Sequence, residues 1–361
     1  MQVQPDLYAV ILAGGGGTRL WPLSRLGQPK HLLKLCGDDS LLGLTVSRVR
    51  PLVPPDRVLA ITVADHVRGV CGQLSEVPAS NIVVEPEGRS TAPCVGLMAL
   101  LIQQRDPEAI MISLHADHAI EDEEGFRSVL RGAVQAAQED HLVTVGIVPT
   151  CPETGYGYIH VGERMGRALG HDIYRVQAFT EKPDLPTACS FVQSGNYLWN
   201  SGMFVWKVSA ILAEIRRLLP ELYAQLQEIE PALGTSQQAE TIAKVWQKVR
   251  SVSVDVGIME RAQDVVVIPA DIGWSDVGSW TSVAHLGQAD KDGNMLEGEH
   301  IVLDCQDTFV YSSGRLVAAL GLQGMVIVET GDALLVCPKE RVQDVRRIVE
   351  QLKSEGREKY L

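Results

Sequence analysis

Gly14, Gly15, Gly16 and Gly17 stand together in this 361-residue chain, followed at once by Thr18 and Arg19, with Arg25 and Lys30 close behind. Successive glycines let a backbone approach its ligand closely and aim several N–H groups one way, which suits an anion. The apolar run at residues 8–12 reads as a buried strand feeding the turn. Strand, glycine turn and neighbouring cations predict a phosphate cradle at the carboxyl end of a parallel strand. A glycine turn that only joins strand to helix is the plainer alternative, and the three cations argue against it. Two better-known phosphate loops are excluded. A P-loop needs Lys-Ser or Lys-Thr after its last glycine, whereas Thr18 and Arg19 follow Gly17. The dinucleotide fingerprint needs glycine at its sixth position, which is Arg19 when counted from Gly14.

Carboxylates supply the second kind of chemistry. Asp117, in Ser113-Leu114-His115-Ala116-Asp117-His118, follows another buried run. An Asp just past a strand's carboxyl end lies where α/β sheets bind ligands. It suits Mg2+ held against nucleotide phosphates, because hard cations prefer oxygen; a helix N-cap before Ala119 is the other reading. His115 and His118 could share a softer metal, but phosphoryl chemistry favours oxygen ligands and no third partner is apparent in the spacing. Asp276, within Trp274-Ser275-Asp276-Val277-Gly278-Ser279-Trp280, meets Asp117 only if the sheet brings the two strand ends together. Glu85, Arg89 and Thr91 sit between a strand and a helix whose start offers hydroxyls. Gly155 permits close backbone approach. Glu181 can accept two hydrogen bonds from vicinal hydroxyls, with Lys182 beside it for a phosphate.

These motifs resemble those of the sugar-nucleotide pyrophosphorylases. The form Leu12-Ala13-Gly14-Gly15-Gly16-Gly17-Thr18-Arg19-Leu20-Trp21-Pro22-Leu23-Ser24-Arg25 is most similar to the mannose-1-phosphate guanylyltransferase branch, and the Trp-Pro-Leu-Ser-Arg tail discriminates it. The chain departs from the usual wording at Gln28 and His31, at Leu114 or His115, and at Ser90. The resemblance implies transfer of GMP from GTP to mannose 1-phosphate, with GDP-mannose and diphosphate as products and Mg2+ as cofactor. It implies a nucleotide site of residues 12–19 with Lys30, Glu85, Arg89, Thr91 and Asp117, and a sugar site of Gly155, Glu181, Lys182 and Asn200. Asp117 and Asp276 would be the metal ligands, and Arg19, Lys30, Lys182 and both aspartates the catalytic set; Asp255 has no derived role. The longer family members carry a phosphomannose isomerase domain, so the short form is expected here. A pyrophosphorylase for another hexose and nucleotide stays open, as does a non-catalytic homologue that senses nucleotide sugars; loss of the carboxylates or lysines would favour the latter, and all are present.

Positioning these residues takes a larger frame. Strand-like and helix-like segments alternate as far as residue 148, predicting a Rossmann-like, mostly parallel sheet flanked by helices. Short strands are expected at 158–161, 173–179 and 204–206, with helices over 209–229, broken at Pro220, and over 239–249. The Gly, Asp, Asn and Lys of residues 287–299 mark a boundary, giving domains 1–288 and 289–361. Beyond it, five short β-rich runs suggest a small solenoid or roll, which the resemblance implies is a left-handed β-helix, and residues 340–353 read as a closing helix. A net charge of −13 argues against nucleic acid or an anionic membrane as partner. Seven cysteines without Cys-x-x-Cys spacing read as reduced thiols. With no long apolar segment, they predict a cytoplasmic protein, with a homodimer as candidate assembly.

Overall fold

A computed structural model describes residues 6–35 and 37–361; Cys36 falls outside them. Strand β1 (Leu7–Ala13) lies inside a nine-stranded mixed sheet with β2 (Val58–Val63), β3 (Ile82–Glu85), β4 (Ile110–His115), β5 (Leu142–Ile147), β6 (Gly157–Ala168), β7 (His171–Glu181), β8 (Tyr197–Lys207) and β9 (Val265–Ala270). The strand order is β3-β2-β1-β4-β8-β5-β9-β7-β6. The four strands β3, β2, β1 and β4 are parallel, and so are β5 and β9, whereas β8 runs antiparallel to both of its flanking strands and to β6. Along β1, Tyr8 and Val10 pack on one face of the sheet and Ala9, Ile11 and Ala13 on the other. Both faces are therefore covered, as the unbroken apolar run requires. Helix Glu123–Ala137 covers the face of Ala9, Ile11 and Ala13 through Phe126, Val129, Leu130 and Ala133. Helix Thr91–Arg105 covers the face of Tyr8 and Val10 and is buried almost all round, because the helices of residues 208–229 pack over it in turn.

The middle of the chain is more regular than its sequence suggests. Strand β8 spans eleven residues where 204–206 was the expected extent. Asn200, Ser201 and Gly202 interrupt its apolar alternation yet stay in the strand, paired with β5 across a bulge. The β6–β7 hairpin turns on Leu169 and Gly170 alone, both at positive φ (45° and 95°), the geometry a two-residue hairpin loop demands. Glu163, Arg164 and Arg167, between the strands expected at 158–161 and 173–179, are exposed strand.

The C-terminal unit holds β10 (Met295–Glu297), β11 (His300–Leu303), β12 (Phe309–Ser312), β13 (Val317–Leu320), β14 (Met325–Thr330) and β15 (Ala333–Pro338). Parallel pairings Phe309↔Val326, His300↔Val317 and Gln306↔Gln323 each advance seventeen residues, one on each of three faces. That common step is a β-helical coil, closed by the antiparallel β15. A helix at Val345–Ser354 follows a 3-10 stretch. Among the described residues no helix is long and apolar enough to cross a membrane, and Cys71, Cys94, Cys151, Cys189, Cys305 and Cys337 are free thiols.

One hydrophobic cluster crosses between the two units. Leu20, Trp21 and Leu33 from the segment after the glycines, with Trp280 and Val277, pack against Phe309, Val326, Val328 and Leu335 of the coil and Val345 and Val349 of the last helix. Trp280 stacks on Phe309 at 5.7 Å. Phe309→Ala is expected to cost about 3–5 kcal/mol and, because the core is shared, to shift one common denaturation transition. Two separate transitions by tryptophan fluorescence and far-UV circular dichroism would contradict the shared core.

Candidate active site

Strand β1 leads through β2 to β3 on one side and has β4 on the other, so the chain changes direction across the sheet between β1 and β4. Open α/β sheets bind ligands outside the carboxyl ends of strands at such a point. Leu12 pairs with His115 there, which puts the glycines of one strand end beside Asp117 of the next. Gly17 is left-handed (φ 65°), and a Cβ on it would lie 2.3 Å from the Lys30 Cβ. Its carbonyl accepts the Ser24 hydroxyl at 2.7 Å. Arg19, on the 3-10 turn Thr18–Leu20, has neither a hydrogen bond nor an ion pair among the described residues, so its guanidinium is unspent.

Lys30 is buried and fully engaged. Its Nζ lies 2.8 Å from Asp117 Oδ2 and also donates to the main-chain carbonyl of Asp276. One ammonium thus joins both candidate metal aspartates. Burial by itself would raise the Asp117 carboxyl, but Lys30, His118 and His115 hold it well below the usual carboxylate range. Asp276 Oδ1 accepts the Tyr156 hydroxyl at 2.8 Å and the Gly278 N–H at 2.9 Å, while Oδ2 takes no hydrogen bond among the described residues. Burial, and then the Asp276 charge, push the Tyr156 phenol far up, so it remains a donor. Its ring is walled by Trp199 and Trp274 at 5.1 and 5.3 Å. Neither aspartate caps a helix: Asp122 and Ser279 do so instead.

His115, Asp117 and His118 offer ligand atoms within 4.8 Å of one another. His118 Nδ1, however, accepts the Trp274 indole N–H at 3.1 Å, and Asp117 is held by Lys30. The bond from Trp274 takes His118 out of this cluster and leaves His115 and Asp117 without a third ligand in it.

A cleft of about 320 Å³ is lined by Leu12, Ala13, Gly14, Gly15, Glu85, Thr91 and His115, with Ser90 and Cys94. Gly16 and Thr18 face a separate hollow against the last helix. Glu85 is buried, and burial raises its carboxyl despite donors from Cys94 and the Arg89 backbone. The Arg89 guanidinium pairs with Glu87 at 2.8 Å rather than pointing into the cleft. Thr91 Oγ1 accepts from the Val254 N–H at 2.8 Å, which leaves its own hydroxyl proton available. On the other side of Tyr156, Lys182 pairs with Glu181, and its backbone N–H bonds the Tyr156 carbonyl at 3.2 Å. Asn200 Nδ2 donates to Asp255 Oδ1 at 2.7 Å, giving Asp255 the role of orienting Asn200. Gly157 lets Glu181 and Asn200 come together, since a Cβ there would lie 2.6 Å from Glu181 Oε2. Gly155 donates its N–H to Glu153 at 2.8 Å.

The nucleotidyl transferase family matches residues 8–293, and a mannose-phosphate isomerase/GMP-like β-helix domain family matches residues 298–352. The mannose-1-phosphate guanylyltransferase ManC of Salmonella typhimurium is 40% identical across 99% of this chain and 75% of its own length. The chain belongs to the mannose-1-phosphate guanylyltransferase family. The xanthan biosynthesis protein XanB of Xanthomonas campestris is also 40% identical, over 98% of this chain and 74% of its own. The chain therefore spans about three quarters of these relatives. Among solved structures, a Thermus thermophilus protein described as a mannose-1-phosphate geranyltransferase superposes with a TM-score of 0.88 at 34% identity, covering 96% of this chain and 99% of that one. Family membership accounts for the mixed sheet and the appended coil together.

Reasoning from sequence did not single out Tyr156, Cys94 or the role of Asp255. Tyr156 carried a signal, an aromatic between Gly155 and Gly157. Cys94 and Asp255 carried none: the contacts of Cys94 depend on how the turn between β3 and the next helix folds, and Asn200, the partner of Asp255, lies 55 residues away.

Two outcomes follow from this geometry. Gly17→Ala is expected to lose about 2–4 kcal/mol, from the positive φ and the overlap with Lys30, whereas Gly16→Ala, with nothing within 4 Å of its Cβ, leaves the melting temperature of the ligand-free protein unchanged. Burial, then the neighbouring His66, lower His31 to about 4, and burial also lowers His66 and His118. The unfolded chain takes up protons near pH 6.5 that the folded chain refuses, so stability is full above that pH and falls on acidification toward pH 4. The slope is at most about 1.4 kcal/mol per pH unit for each histidine. Urea unfolding at pH 7 and pH 5 measures it; His31→Gln should flatten the slope, and no pH dependence in the parent protein would refute the assignment.

Proposed function

We propose that this chain transfers the guanylyl group of GTP to mannose 1-phosphate, releasing diphosphate and GDP-mannose. The observation that carries this reading is Lys30, which ties Asp117 and Asp276 together beside the glycine loop at the switch point of the sheet. A phosphate oxygen of the sugar phosphate attacks the α-phosphorus in line as the α–β bond to diphosphate breaks. The nucleophile is already an anion, so the chain's contribution is positioning and charge neutralisation.

The glycine N–H groups of residues 14–17 and the unpaired Arg19 receive the β- and γ-phosphates. The base enters the cleft beside Glu85, whose carboxylate can accept from the N1–H and 2-amino groups of guanine; adenine offers an acceptor at N1. The Thr91 hydroxyl faces the same cleft, and Arg89 contributes its backbone by holding Glu85. Glu181 and Asn200 accept and donate to mannose hydroxyls, Gly155 allows close approach, and Lys182 turns from Glu181 to the sugar's phosphate. Asp117 and Asp276 would hold Mg2+, since the first is kept ionised and the second has Oδ2 free of hydrogen bonds among the described residues. When bound, the ion neutralises phosphoryl oxygens.

Diphosphate release measured with GTP, ATP, UTP and dTTP against mannose 1-phosphate and glucose 1-phosphate tests the substrates; GTP with mannose 1-phosphate is expected to give the highest kcat/KM. Asp276→Asn keeps the Tyr156 and Gly278 hydrogen bonds through its amide oxygen but loses the negative charge. Turnover should fall by two or more orders of magnitude with an unchanged melting temperature, and normal Mg2+-dependent turnover would remove Asp276 from the mechanism.

A further inference from the structure

Cys94 sits in the first turn of helix Thr91–Arg105, is buried, and reaches the nucleotide cleft with its sulfur. Its Sγ lies 3.4 Å from Glu85 Oε2 and 3.2 Å from the carbonyl of Ser90. The Arg89 backbone N–H reaches the same Oε2 at 3.4 Å. These two donors fall on one oxygen of the carboxylate, and the Trp246 side chain is a further hydrogen-bonding neighbour of Glu85. The other oxygen, Oε1, faces the glycine loop, 3.0 Å from where a Cβ on Gly14 would lie. Donors gathered on Oε2 restrict rotation about the terminal bond and so favour one direction for Oε1 in the cleft. The single S–H proton is shared between Glu85 Oε2 and the carbonyl of Ser90, whose φ of 66° and ψ of −171° fall in a region essentially reserved for glycine. Sulfur thus links the base-facing carboxylate to the strained peptide beside it. Burial, and then the Glu85 charge, raise the thiol well above its ordinary range, which keeps the proton on sulfur as a donor.

We propose that Cys94 is a specificity-positioning residue: its S–H fixes Glu85 so that the carboxylate meets the two donors on the guanine edge. The proposal rests on reading this cleft as the guanosine site. ITP is the discriminating probe, because hypoxanthine keeps N1–H and lacks the 2-amino group. With a fixed carboxylate both donors count, and with a mobile one the second contributes little.

The experiment compares steady-state kinetics for GTP and ITP, at saturating mannose 1-phosphate, in the full chain and in Cys94→Ala, Cys94→Ser and Glu85→Gln. Cys94→Ala should raise KM for GTP five- to tenfold, lower kcat less than twofold, leave KM for mannose 1-phosphate unchanged and shrink the GTP-over-ITP preference at least threefold. Cys94→Ser, which restores a donor, should recover most of that preference. A purely packing role predicts equal losses for both nucleotides and no recovery by serine, and that pattern overturns the proposal. If Glu85→Gln abolishes the preference while Cys94→Ala keeps it within twofold, the positioning role fails and the guanosine reading stands. If Glu85→Gln also keeps the preference, the guanosine reading of the cleft is what fails. Should Cys94→Ala not fold, Cys94→Ser and Cys94→Val decide by the same ratio: serine keeping it and valine losing it supports the role, and equal ratios overturn it.

Discussion

The site depends on a single buried ammonium. Lys30 Nζ touches the Asp117 carboxylate and the main-chain carbonyl of Asp276, residues carried by loops far apart in sequence. Removing an ammonium from water is costly unless charge and hydrogen bonds replace it; here a carboxylate supplies the one and a carbonyl the other. The contact also sets where the glycine loop runs, because Gly17 packs directly on the Lys30 side chain, closer than any Cβ would permit. Anion cradle, ammonium and both aspartates therefore form one mechanical unit. A chain with a net charge of −13 can handle triphosphates on these terms, since the positive charge is concentrated where the acids also converge.

Strain marks the same region. Outside glycine, the residues at positive φ include Ser90 beside the cleft that holds Glu85, Lys182 beside Glu181 and Val277 next to Asp276. A β-branched valine at φ 49° is costly, on the order of 1–3 kcal/mol. It persists because the turn it completes presents the Gly278 N–H to Asp276 Oδ1 while the Val277 side chain is buried in the core shared with the coil. These three peptides sit next to side chains proposed to meet substrate or metal. This is how a fold fixes functional groups without placing them on regular elements.

Much of the frame was legible in the sequence because it follows local rules. Residues 58–63 read as a strand and are one, and Pro220 breaks the helix and begins the next. The glycine loop and Asp117 could be placed at strand ends by periodicity alone. What stayed hidden depends on partners distant in the chain. Strand β8 looks short because Asn200, Ser201 and Gly202 are polar or small, yet Ser201 bonds the Val145 carbonyl inside the sheet and Gly202 makes room for His115. The seventeen-residue coil step was invisible since aligned residues such as Phe309 and Val326 share hydrophobicity, not identity. Glu85 was legible as a site residue between strand and helix, but its burial at the end of β3 was not, and Cys94 read only as one of seven reduced thiols.

The tail of the signature, Trp21 to Arg25, has a physical reason of its own. Trp21 Nε1 and Arg25 Nη1 both donate to the carbonyl of Tyr360, at 2.8 and 2.6 Å, and Arg25 also pairs with Asp332 of the coil at 2.8 Å. The Trp280 indole in turn donates to the Trp21 carbonyl at 3.0 Å. None of these bonds faces the nucleotide cleft. They fasten the exit of the glycine loop to the β-helical unit and to the segment after the last helix. Residues 14–19 are shared wording for phosphate chemistry, whereas residues 21–25 are the half that needs a coil to dock against. The glycine loop is thereby braced from behind by the coil.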